Sequence, residues 1–105
     1  LSICVNFLRR LAGTGCQFKV GITGDPNHRW TREDSDYCGY QWLGYTRMYL
    51  VYCHFASVKT TPGSTGAMEV ELIKEGKLFD VCLNIAPGGE RPSRVYPHFT
   101  YIVVI

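Results

Sequence analysis

The chain has 105 residues, 46% of them hydrophobic and 19% charged, with a formal net charge of +2. That composition excludes a disordered or fibrous chain, and the charge is too small to indicate nucleic-acid binding by itself. The length fits one domain over 1–105, large enough to bury a core without metals or disulfides. The chain begins with Leu1, not methionine, and is read as a segment of something longer.

In chain order, Ser2 to Leu8 is apolar and β-rich and reads as a strand. Arg9 to Cys16 holds two glycines and reads as a hairpin connection. Gln17 to Thr23 alternates, with Phe18, Val20 and Ile22 on a core face and Lys19, Gly21 and Thr23 on the other. Asp25 suits a helix N-cap and Pro26 the first helical position, so a helix is expected from Pro26 to about Glu33. Asp34 to Gly44 is polar and aromatic with no period. Tyr45 to Phe55 is the strongest strand signal, apolar on both faces, and is expected to be covered on both. Ser57 to Gly66 reads as a loop and Ala67 to Lys77 as a helix. Asn84 to Ser93 is a loop rich in glycine and proline, and Tyr96 to Ile105 a last strand. The order β-β-α-β-α-β implies an α+β fold: a small, mainly antiparallel sheet of three to four strands with flanking helices.

There are five cysteines, Cys4, Cys16, Cys38, Cys53 and Cys82. The number is odd and no pair makes a CxxC, so they read as reduced, mostly buried thiols in an intracellular, reducing compartment. A zinc site from Cys53, His54 and distant cysteines has no matching spacing. No apolar run is long enough to span a bilayer, and Leu1 to Leu8 is too short for a signal peptide. His28, His54 and His98 carry no metal spacing and read as structural or solvated. Trp30, Trp42 and the seven tyrosines suit base stacking, and core packing explains them equally well.

The helix over Ala67–Lys77 holds one residue that its own geometry does not explain. At 100° per residue, Met68, Leu72 and Ile73 form an apolar arc, and Glu69 falls inside it. Glu71, Lys74 and Glu75 lie on the polar side. A carboxylate on a buried face is costly unless it gains a cation or a hydrogen-bond partner. Glu69 is therefore either paired with an arginine such as Arg29 or a metal ligand at the rim of the core.

Together these residues resemble the GIY-YIG endonuclease superfamily. Val5-Asn6-Phe7 stands in the place of the first motif and Lys19-Val20-Gly21 in that of the second, with the eleven residues Leu8 to Phe18 between them. Arg29, in Asp25-Pro26-Asn27-His28-Arg29, matches the family's helix arginine. Glu69 with Leu72 and Ile73 matches its Glu-x-x-Leu-Ile pattern, and Asn84 followed by Gly88-Gly89 its late asparagine. The resemblance covers nearly the whole chain and implies a GIY-YIG-like fold and metal-assisted hydrolysis of DNA phosphodiesters.

In that scheme Glu69 holds one divalent cation, Mg²⁺ or Mn²⁺, and Arg29 holds the phosphate. Lys19 and Arg32 add phosphate contacts, and Asn84 holds the geometry. Lys19, Arg29 and Glu69 are then expected to face one pocket. The implied partner is nucleic acid, DNA ahead of RNA, and not a membrane. The chain departs from the pattern at Val5, at Phe7 and Lys19 where the motifs have tyrosines, and at Glu33 one turn after the arginine. A lysine can act as a base or bind phosphate as a point charge. Tyr37, Tyr40 and Tyr45 could each bring a hydroxyl that the sequence does not place. Two readings follow: an endonuclease, favoured by Arg29 with Glu69, and a catalytically inactive module binding nucleic acid or a protein partner, favoured by Phe7.

Overall fold

A computed structural model describes residues 3–33, 38–54, 64–85 and 97–105. The expected loop over 57–63, the stretch 86–93 with Gly88-Gly89, Tyr37 and the start of the last strand at Tyr96 lie outside these residues.

The chain opens with a helix, α1 (Ile3–Gly13), where a strand and a hairpin connection were expected. Ile3, Val5 and Phe7 alternate like a strand over a few residues. The buried side chains, however, are Cys4, Val5, Leu8 and Ala12, and Leu11 packs beside them. That is the 3.6-residue stripe of a helix lying on a core, and it continues through the two arginines. The motif Val5-Asn6-Phe7 is therefore helical.

Strand β1 (Phe18–Thr23) follows, then α2 (Pro26–Thr31). The Asp25 carboxylate accepts the His28 N–H at 2.9 Å and Pro26 sits in the first turn, as expected. A 3₁₀ turn over Tyr40–Leu43 fills part of the stretch that shows no period. Next come β2 (Arg47–His54), α3 (Thr65–Gly76) and β3 (His98–Val104). Helix α3 starts two residues earlier than its apolar period implies because Ser64 caps it, accepting the Ala67 N–H at 3.1 Å.

Among the described residues the sheet is three-stranded and antiparallel, in the order β1-β3-β2. The fold class is thus the expected α+β, but the neighbour of β1 is the last strand of the chain, not the first segment. β3 is central and is buried along nearly its whole length. It is therefore the strand covered on both faces. β2 is an edge strand with Arg47, Leu50 and Cys53 exposed, against the expectation that it is the doubly covered one.

Two layers enclose the sheet. Helices α1 and α3 pack on one face, where Leu8, Leu72 and Ile73 meet Phe18, Val20, Ile102 and Val104. Side chains such as Leu8, Phe18, Leu72 and Ile102 are fully buried and each stabilises by about 1.5–3 kcal/mol. Ile22, on the same face, is only half-buried. Alternation sends Tyr101 and Val103 to the other face, where Tyr40, Trp30, Tyr45 and Met48 cover them. An ion pair between Arg9 and Glu75 joins α1 to α3, so Glu75 is not merely solvated. All five cysteines are thiols, but only Cys4 is buried, while Cys38 and Cys53 are exposed. No helix among the described residues is long and apolar enough to cross a membrane.

Candidate functional site

Lys19 leaves β1 on the face that carries Gly21 and Thr23. Its ammonium stands 5.8 Å from the centroid of the Tyr40 ring, within range of a cation–π attraction. Gly21 pairs with Tyr101 of β3, and the Tyr101 ring lies across it: a Cβ at Gly21 would run into the Tyr101 hydroxyl. Gly21 is thus required by a close approach. The hydroxyls of Tyr101 and Tyr40 share a hydrogen bond of 2.8 Å in a buried setting. Tyr45 packs edge-on against Tyr40 at 5.0 Å, and burial pushes its phenol pKa up, which keeps it protonated at neutral pH.

The Tyr101 hydroxyl thus stands beside Lys19-Val20-Gly21. No local sequence signal marks Tyr101, because only the pairing of the last strand with β1 brings it there. Phe7 itself lies on α1 and packs edge-on against Tyr49, 5.1 Å away, on the opposite face.

Arg29 and Arg32 come from α2 and the residue that ends it, and both are half-buried. The helix rests on the Lys19 face through Trp30. Glu69 is 7% exposed. It shares one stripe of α3 with Thr65, Leu72, Ile73 and Gly76, so its place inside the apolar arc is as expected. That stripe packs on the other face of the sheet from Lys19. The Thr100 hydroxyl, donating to the Thr65 carbonyl at 3.0 Å, ties β3 to the first turn of this helix. Lys19 and the helix of Arg29 are thus brought to one face, and the helix of Glu69 to the other.

Asn84 does its work on the backbone. Its Oδ1 accepts the Val20 N–H at 2.8 Å and its Nδ2 donates to the Val20 carbonyl at 2.8 Å. The segment before it runs alongside the outer edge of β1, with Phe18 N–H donating to Val81 O at 2.9 Å and Leu83 N–H to Phe18 O at 2.7 Å. The Asn84 amide continues this ladder as a side-chain copy of a peptide and fixes the strand that carries Lys19. Among the described residues, no three or more His, Cys, Asp or Glu side chains gather in one place. Compared with known proteins, the chain matches no family model, no curated protein and no solved structure.

Proposed function

We propose that the domain acts on DNA phosphodiesters as a GIY-YIG-like, divalent-metal-dependent endonuclease, with the Lys19 face of the sheet as the phosphate-binding surface. The observation that carries this reading is the Tyr101–Tyr40 hydroxyl pair beside Lys19 and across Gly21. Lys19 meets the phosphate as a point charge, and Arg29 can hold two of its oxygens at once. The tyrosine pair offers hydroxyls held in a hydrogen bond beside Lys19, and Asn84 keeps β1 from shifting beneath it.

Glu69 supplies the hard oxygen donor that Mg²⁺ or Mn²⁺ takes. As a single carboxylate it would leave the remaining positions to water and phosphate oxygens, a donor set that fits Mg²⁺. A cation held there would lie on the α3 side of the sheet and could polarise only a phosphoryl group that reaches round to that side. The second reading, a module that binds nucleic acid or a protein partner without cutting, draws support from the helix of Glu69 packing on the face away from Lys19.

The test incubates the protein with plasmid and branched DNA and Mg²⁺ or Mn²⁺, beside Glu69→Ala and Arg29→Ala. Wild type is expected to cut, with each variant slower by roughly 10²–10³-fold, as for loss of one transition-state contact. Cleavage equal in all three overturns the assignment. No cleavage with DNA binding retained supports the second reading.

A further inference from the structure

The two tryptophans have different fates in the fold. Trp30 packs against the cluster of Tyr40, Tyr101 and Val103. Trp42 is 53% exposed, next to Leu43 at 56%. A scattered apolar residue at the surface is ordinary, but this indole is held in place. Its Nε1–H donates to the Thr31 carbonyl at 3.1 Å, and its backbone N–H donates to Gly39 at 3.1 Å. Gly39 in turn donates to the Arg32 carbonyl at 2.7 Å. A Cβ at Gly39 would strike the Trp30 carbonyl and come within 2.7 Å of the Arg32 nitrogen, so the 3₁₀ turn sits directly on the end of α2.

Two consequences follow. The one polar atom of the indole is spent on the protein backbone, so what it presents to solvent is apolar π surface. That surface is fastened beside Arg32 and one helical turn from Arg29, where the charge suits a phosphate; Glu33, next in the chain, opposes it. A rigid ring beside cations is the arrangement that takes one nucleotide, base on the ring and phosphate on the guanidinium.

We infer that Trp42, with Leu43 beside it, is a stacking platform for an unpaired nucleobase whose adjoining phosphate meets Arg32 and Arg29. The inference rests on the nucleic-acid reading above and names its substrate more closely: DNA with unpaired bases, as in single strands, flaps or branches. A stacked ring accepts any base, so the platform selects strand state and not sequence.

The test measures binding of the 105-residue protein to a fluorescein-labelled oligo-dT strand and to a fully paired duplex of the same length. Wild type, Trp42→Ala and Trp42→Phe are compared, with circular dichroism melts to check folding. Trp42→Ala is expected to weaken single-strand binding by about 5- to 150-fold and duplex binding by less than about twofold. Trp42→Phe, which keeps an aromatic face, retains most of the affinity. Oligo-dT quenches wild-type tryptophan emission, and quenching is lost in Trp42→Phe, where only Trp30 remains. Equal loss on both DNAs, or none on the single strand, overturns the inference while leaving the phosphodiester reading intact. Self-association that depends on Trp42, seen by sedimentation, overturns it in favour of a second copy covering the patch. Wild type that binds neither DNA overturns both.

Discussion

Replacing Asn84 by alanine removes two hydrogen bonds of 2.8 Å, one to the Val20 N–H and one to its carbonyl. Each such bond contributes about 0.5–1.5 kcal/mol net, and a buried backbone group left unpaired costs about 1–3 kcal/mol. Val20 is 2% exposed, yet its outward edge can be reached by some water once the amide is gone. The expected loss is therefore about 2–4 kcal/mol, or on the order of 10–20 °C in Tm for a domain of this size. Urea and thermal melts followed by circular dichroism measure it. Asn84→Asp sharpens the test. An aspartate keeps the acceptor for the N–H but turns a second oxygen toward the Val20 carbonyl. Its carboxyl pKa is then higher folded than unfolded, so its stability is greatest below the usual carboxyl range and falls as pH rises through the folded value. Measured against Asn84→Ala at each pH, the Asp variant should regain stability on acidification. A loss below about 0.5 kcal/mol for Asn84→Ala, or an Asp variant as stable as wild type at pH 7, would refute the reasoning.

Other consequences can be checked with the same melts. Gly39→Ala drives a Cβ into the rigid Trp30 carbonyl, so it should cost about 1–3 kcal/mol and should weaken DNA binding together with stability; a variant as stable as wild type contradicts the close packing. Gly21→Ala forces the Tyr101 hydroxyl away from Tyr40, and a shift in tyrosine ultraviolet absorbance should accompany a loss of similar size. Cys4 gives a pH dependence: burial pushes its thiol pKa up, and its Sγ donates to the Val51 carbonyl at 3.3 Å. The unfolded thiol ionises first, so the contribution of Cys4 is complete below about pH 8.5 and declines as pH rises beyond it. Urea midpoints between pH 7 and 10 should fall more steeply for wild type than for Cys4→Ala, and parallel curves would remove Cys4 as a cause.

Legibility in the sequence followed the range of each signal. The start of α2 was readable because Asp25 and Pro26 act within one turn. The buried place of Glu69 was readable because helical periodicity alone sets it. The alternation of β1 correctly put Lys19 on the face away from Phe18 and Val20, although Ile22 is less buried than its place in the pattern implies. What failed depended on strand partners. Ile3, Val5 and Phe7 imitate a strand over five residues, and only the longer run to Ala12 exposes the helix. β2 looks like the inner strand by composition, yet β3, the last strand of the chain, pairs with both β1 and β2 and so takes that position. Tyr101 reaches the Lys19 face only through the pairing of β1 with the last strand, which no local signal in the sequence marks. The resemblance marks Asn84, while its physical task as the last rung on the edge of β1 follows only from the pairing.

The central claim is that phosphodiester chemistry takes place on the Lys19 face. Its most direct test is the cleavage rate of a branched DNA with Mg²⁺ or Mn²⁺ by wild type and by Lys19→Met, which keeps the length of the side chain and removes its charge. Lys19 is half-buried and lies over Tyr40, so the variant should fold, as a melt would verify. The account predicts cleavage by wild type and a loss of roughly 10²-fold or more in the folded variant. Equal rates for the two folded proteins would contradict it.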